Sequence, residues 1–143
     1  MKNNQKLIYP LHENVFSSED IKKGIRVLLS KNITMGKETI EFEKYFAKKL
    51  GVKYAIMVNS GSSANLLAMS ILSNSSLSKA KIKKNDEIIT PAVTWATTVY
   101  PILNVGAKPV FVDVGLKDYT IDPEKIEKAI TKKTKAIFLV HLL

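Results

Sequence analysis

The sequence of 143 residues contains no cysteine and only two histidines. Without thiols, disulfide bonds, thiol catalysis and cysteine–metal sites are all excluded. His12 and His141 lie far apart in the chain, and two distant histidines make a poor metal site. His141 follows a predicted strand, where an ordinary hydrogen-bonded histidine is favoured over a role beside a binding cleft. We therefore expect no metal centre.

Long apolar runs are lacking as well. No stretch approaches the roughly 20 uncharged apolar residues that a membrane-spanning helix needs. Near the N-terminus only Leu7, Ile8 and Tyr9 stand between the polar start and Pro10, which is too short for the apolar region of a secretion signal. The expectation is a soluble, cytoplasmic protein that does not bind a membrane.

Arginine is nearly absent: Arg26 is the single arginine among 22 basic residues, although the net charge is +9. Base readout and bidentate phosphate contacts depend heavily on arginine. A solvated lysine-rich surface is therefore favoured, and no nucleic-acid partner is expected. A basic module that binds nucleic acid or anionic lipid stays open as a function of another class. Its affinity would fall steeply with salt.

Short apolar runs alternate with helical patterns along most of the chain. The spacing predicts helices over 17–30 and 37–50, from Ser60 to about Leu72, over 94–103 with Pro101 inside, and from Asp122. Four apolar runs predict strands, at 54–58, 87–90, 109–114 and 135–140. Strands that are apolar on both faces and separated by helices indicate a largely parallel sheet covered on both sides.

In such sheets ligands bind beyond the carboxyl ends of the strands. Ser60, Gly61, Ser62 and Ser63 follow the first predicted strand and begin a helix. Free N–H groups at a helix start favour a phosphate, Gly61 permits close approach, and Ser62 and Ser63 can donate from their hydroxyls. A simple turn with a serine helix cap explains the same residues.

The only tryptophan, Trp95, follows the next strand along the chain. A flat aromatic side chain there can stack on a planar ring whose phosphate lies at Gly61–Ser63. Burial at a domain or subunit interface is the alternative, because tryptophan is enriched at interfaces.

The residues 59–65 (NSGSSAN), 90–95 (TPAVTW) and 109–114 (PVFVDV) occur in an order and spacing that resemble a known family, as do Thr34-Met35-Gly36 and the EFE at 41–43. Together they are similar to the nucleotide-sugar aminotransferases and sugar 3-dehydratases, pyridoxal-phosphate enzymes with the aspartate-aminotransferase fold. The resemblance covers nearly all of residues 8–143. It implies an N-terminal arm with helices over 1–50, and over 51–143 the first half of a large, mostly parallel cofactor-binding domain.

The resemblance also implies roles for individual residues. Gly61, Ser62 and Ser63 match the positions that hold the phosphate of pyridoxal 5'-phosphate or pyridoxamine 5'-phosphate, and Trp95 matches the aromatic residue that stacks on its ring. Thr34, Met35 and Gly36 match a stretch near the active site, which implies substrate contact. Asp113 matches a strand-end carboxylate that is more often structural.

The expected activity is amino transfer to a nucleotide-linked 4-keto-6-deoxy sugar, with an amino donor such as glutamate, by a homodimer. Dehydration at C3 of such a sugar is an almost equally favoured activity. The serine-rich and tryptophan segments look especially like the dehydratase branch of the family, in which a histidine replaces the catalytic lysine. The family's catalytic Asp and Lys or His fall beyond Leu143, so no catalytic residue is assigned. The chain alone is expected to be inactive and to fold poorly, and a non-catalytic relic is a further alternative.

Overall fold

The computed structural model describes residues 15–77 and 81–141. Within these residues the chain forms five α-helices and three β-strands. In chain order they are α1 (Ser18–Leu29), α2 (Lys37–Leu50), α3 (Gly61–Ser73), β1 (Glu87–Pro91), α4 (Ala96–Asn104), β2 (Lys108–Val112), α5 (Pro123–Ala129) and β3 (Thr134–Ile137). None of the described helices is long and apolar enough to cross a membrane.

The chain divides into two compact units, one ending at Met57 and the other beginning at Val58. The division expected near residue 50 stays a prediction. The first unit contains α1 and α2, and the predictions for both helices are confirmed. Ser17 and Asp20 form a capping box that starts α1, and Gly51, in the left-handed conformation, ends α2.

The strand predicted at 54–58 is wrong. Among the described residues this segment pairs with no strand, and Tyr54 and Ile56 are each 74% exposed. A run of apolar residues becomes a strand only where a neighbour accepts and donates its backbone hydrogen bonds. Here a side chain takes the place of one strand partner: the Glu43 carboxylate accepts the Met57 backbone N–H at 2.8 Å.

The second unit is built on a parallel sheet, as the sequence predicts. Its strand order is β2–β1–β3, with β1 paired in parallel to both neighbours. Ile88, Ile89 and Thr90 of the central strand are fully buried. Phe111 of β2 and Ile137 of β3 remain exposed, so coverage of both faces holds for β1 alone.

The ladder between β1 and β3 is irregular at one point. Glu87 lies opposite Thr134, but Ile88 lies opposite Ala136, so that Lys135 has no residue across from it. An extra residue in one strand of a pair is a β-bulge. The bulge keeps Ala136, rather than Lys135, level with the buried Ile88.

A small apolar core joins the sheet to α3 and α4. Its buried members are Met69, Ile82, Ile88, Ile102 and Ala107. The core holds α3 and α4 side by side on one face of β1. Their N-terminal ends carry the residues singled out as candidate cofactor contacts.

Candidate functional site

The start of α3 is capped by its own serines. Ser60 is the N-cap, and its hydroxyl oxygen accepts the Ser63 backbone N–H at 3.2 Å. The Ser63 hydroxyl donates to the Asn59 side-chain oxygen at 2.6 Å. The N–H groups of Gly61 and Ser62 have no acceptor within the described part of the chain. This helix end therefore offers two N–H groups and the Ser62 hydroxyl to a ligand, while the Ser63 hydroxyl already serves the cap.

Gly61 stands in open space. A methyl group built on its Cα meets no atom of the described residues within 4 Å. Packing against the described part of the chain therefore does not require glycine at this position. The room beside the two free N–H groups is available to an anion, which a helix N-terminus attracts through its dipole and its unpaired N–H groups.

Trp95 is the N-cap of α4 and is 76% exposed. Its carbonyl accepts the Thr98 N–H at 2.9 Å, while its indole provides no cap of its own. Trp95 is therefore no part of this unit's core. Its exposed indole lies at the start of a nine-residue helix, where it could stack on a planar ring.

A hydrogen bond shows that the two helix starts lie together. The Asn65 side-chain amide, in the second turn of α3, donates to the Thr97 carbonyl oxygen, in the first turn of α4, at 3.3 Å. The structure thus brings Gly61–Ser63 and Trp95 to the same end of the α3–α4 pair. Asn65 belongs to the motif at 59–65, but the sequence predicts neither a role for its side chain nor this bond.

The residue before Trp95 carries a polar atom without a partner. The Thr94 hydroxyl oxygen is buried and has no hydrogen-bond partner in the described part of the chain. Such a group costs on the order of 1–3 kcal/mol when left unpaired. Thr94 directly precedes Trp95, the candidate ring contact. No feature of the sequence singles it out.

Thr34, Met35 and Gly36 belong to the first unit. They form the connection between α1 and α2, where Met35 has a positive φ of 47° and Gly36 is the N-cap of α2. Gly36 lines a cleft of about 510 Å³ together with Arg26, Asn32 and Lys37 among others. A methyl group at Gly36 would lie 3.0 Å from the Asn32 carbonyl oxygen, a tight contact that favours glycine at this turn.

Asp113, just past the end of β2, is held by local bonds. The Val114 N–H donates to its carboxylate at 3.0 Å, and Lys125 forms an ion pair with it at 3.4 Å. The backbone bond from Val114, followed by Lys125, lowers the pKa of Asp113 below its ordinary value. These contacts fit the structural role expected of this carboxylate.

The sequence contains two histidines. His12 lies outside the described residues, and His141 is exposed. In the described segments, 15–77 and 81–141, no cluster of histidine, aspartate and glutamate could hold a metal ion.

Two known proteins are similar in sequence to most of this chain. The chain is 44% identical over 135 residues to GDP-4-keto-6-deoxy-D-mannose 3-dehydratase of Escherichia coli O55:H7, a match covering 94% of this chain and 34% of that protein. It is 42% identical over 129 residues to dTDP-4-dehydro-2,6-dideoxy-D-glucose 3-dehydratase of Saccharopolyspora spinosa, covering 90% and 28%.

A solved structure is similar as well. The GDP-4-keto-6-deoxy-D-mannose-3-dehydratase of E. coli with bound hydrated pyridoxal phosphate superposes with a TM-score of 0.82 at 44% identity, covering 90% of this chain and 33% of that one. The chain thus spans about a third of the length of these relatives. This likeness confirms the resemblance and the expected fold class.

A family profile matches residues 15–143, which is nearly the whole chain. The match includes α3 and α4 with their serine-rich and tryptophan segments. The chain belongs to the DegT/DnrJ/EryC1/StrS aminotransferase family.

Proposed function

We propose that the start of α3 holds the phosphate of pyridoxal 5'-phosphate or pyridoxamine 5'-phosphate, and that Trp95 stacks on its ring. One observation carries the proposal: free N–H groups on Gly61 and Ser62 lie at the same helix-pair end as an exposed indole. A phosphate ester carries about −1.5 to −2 charges at pH 7, which a helix N-terminus favours. The open space at Gly61 gives the phosphate room.

The reaction proposed for the whole protein is removal of the 3-hydroxyl group from a nucleotide-linked 4-keto-6-deoxyhexose. Its support is that the relatives at 44% and 42% identity are named as sugar 3-dehydratases. The bound cofactor supplies an electron sink at the sugar. The residues of this chain bind it: the N–H groups and the Ser62 hydroxyl orient the phosphate, and the indole fixes the plane of the ring.

Amino transfer at C4 of such a sugar is the second candidate, supported by the family to which the chain belongs. The two reactions leave different products, one lacking the C3 oxygen and the other carrying nitrogen at C4. Under either, Thr34, Met35 and Gly36 are proposed to contact the nucleotide-linked sugar. The whole protein is proposed to be a cytoplasmic homodimer that uses an amino donor such as glutamate.

The test uses the full-length protein with added cofactor and a nucleotide-linked 4-keto-6-deoxyhexose. Mass spectrometry and NMR of the product decide between loss of the C3 oxygen and gain of nitrogen at C4. In parallel, cofactor binding is measured by visible absorbance for Ser62→Asp and for its matched control Ser18→Asp, which lies in the first turn of α1.

Both substitutions place an acidic residue in a first helical turn, which favours the helix. Only Ser62→Asp sets that charge against the cofactor phosphate, and we expect it to weaken binding at least roughly tenfold, about 1.4 kcal/mol. Equal cofactor binding by the two variants would contradict the proposed phosphate-binding role of the α3 start. A wild-type protein that binds no cofactor would contradict the whole proposal.

A further inference from the structure

Helix α4 contains a proline in its interior. Pro101 is buried and lies between Ala96 and Asn104. Proline has no backbone N–H, so the carbonyl four residues earlier receives no helical hydrogen bond. In α4 that carbonyl belongs to Thr97. This carbonyl, in the first turn of α4 and two residues after Trp95, therefore lacks its usual donor from within the helix.

Asn65 of α3 supplies the missing donor. Its side-chain amide donates to the Thr97 oxygen at 3.3 Å, and both residues are half-buried. Most other side-chain hydrogen bonds in this unit join residues close in sequence, whereas this one crosses 32 positions. It connects the two helices near their N-terminal ends.

The position of this bond relates it to the proposed cofactor site. Asn65 lies four residues after Gly61, so the bond runs between the element that would hold the phosphate and the element that would hold the ring. The apolar core joins the same helices farther along, through Met69 and Ile102. Without the Asn65 bond the helices would stay packed, but their N-terminal ends would be less firmly fixed to each other.

We propose that Asn65 is a positioning residue, which acts through the Thr97 carbonyl left free by Pro101 to set the distance between the Gly61–Ser63 phosphate contact and Trp95. The inference rests on the proposed cofactor site. A bond that merely satisfied a carbonyl would affect folding alone. A positioning bond also affects how the ring sits once the phosphate is bound.

The test is a double-mutant cycle in the full-length protein, with Asn65→Leu, Pro101→Ala and both changes together. Leucine has a similar size and no donor. Alanine at 101 restores an N–H that can reach the Thr97 oxygen. Asn104→Leu, at the exposed end of α4, is the matched control. The readouts are the dissociation constant of pyridoxal 5'-phosphate and the visible circular dichroism of the bound ring.

We expect Asn65→Leu to weaken cofactor binding roughly three- to tenfold, the worth of one hydrogen bond, and to change the dichroism of the ring. In the Pro101→Ala background the same substitution should have a much smaller effect. Asn104→Leu should leave both readouts unchanged.

The outcomes separate the inference from the function on which it rests. A wild-type protein that binds no pyridoxal 5'-phosphate overturns the proposed site. Normal wild-type binding, with a dichroism band that Asn65→Leu leaves unaltered, overturns the positioning role alone. An equal effect of Asn65→Leu in both backgrounds overturns the account based on Pro101.

Discussion

At the start of α1, Ser17 and Asp20 bind each other reciprocally. The Asp20 carboxylate accepts the Ser17 backbone N–H at 2.8 Å and its hydroxyl at 2.7 Å, while the Ser17 oxygen accepts the Asp20 N–H at 3.1 Å. The side-chain and backbone bonds from Ser17 lower the pKa of Asp20 below its ordinary value. A lowered folded-state pKa means that the ionised form stabilises the helix start.

The pH dependence follows from that direction. The contribution of Asp20 is complete above the ordinary aspartate pKa of about 3.9 and is lost as the pH falls through the lower folded-state value. We expect Ser17→Ala to raise the pKa of Asp20 toward its ordinary value, as measured by NMR titration of the carboxyl carbon. Asp113 serves as the internal control, because its pKa is lowered by Val114 and Lys125 instead. An unchanged Asp20 pKa would contradict the capping account.

The residues of the candidate site divide into those that a sequence can reveal and those that it cannot. Gly61, Ser62 and Trp95 are visible because a glycine-serine helix start and a lone tryptophan are local features. Asn65 acts on a carbonyl 32 positions away, freed by a proline in another helix. That role depends on how α3 packs against α4, and no local sequence pattern predicts this packing.

At the scale of whole elements, two glycines of the first unit differ in why glycine suits their position. Gly51 ends α2 with a φ of 68°, in the left-handed region that glycine adopts at low cost. Gly24 lies in the middle of α1, where an added methyl group would meet no atom of residues 15–77 or 81–141 within 4 Å. The backbone conformation favours glycine at position 51, whereas alanine would suit the helix better at position 24.

The two positions should therefore respond oppositely to alanine. Gly51→Ala is expected to lower the free energy of unfolding by about 1 kcal/mol, the cost of a left-handed residue with a side chain. Gly24→Ala is expected to raise it by about 0.5–1 kcal/mol. Urea denaturation of the full-length protein checks both values. Changes of the same sign would show that Gly51 does not act through its backbone conformation.

Most elements are predictable because their signals are local. The 3.6-residue period and the caps predict α1 and α2, and short apolar runs predict all three observed strands within one to three residues at each end. The run at 54–58 has the same composition but forms no ladder among the described residues. Strand formation depends on a neighbour elsewhere in the chain, and composition does not say whether that neighbour is there.

On the scale of the whole molecule, large apolar side chains are common on the surface. Leu116 is 90% exposed and Leu29 is 75% exposed, and Leu28 of the same helix is also exposed. Monomeric soluble proteins seldom carry extensive exposed apolar patches. The chain also spans only about a third of its relatives. Much of this surface is suited to being covered by other protein.

We therefore expect the 143-residue chain, produced alone, to associate. Size-exclusion chromatography over a range of concentrations should show species larger than a monomer, and a hydrophobic dye should bind. The full-length protein, as the control, should show neither property to the same degree. A monomeric 143-residue chain that unfolds cooperatively would contradict this expectation.

The bulge between β1 and β3 bears on how related chains are aligned. Because Lys135 has no residue opposite it, a relative that is one residue shorter can lose this position and still set Ala136 against Ile88. A gap placed one position later would instead put Lys135 level with the fully buried Ile88. An alignment that ignores this difference misassigns the buried and exposed faces of β3.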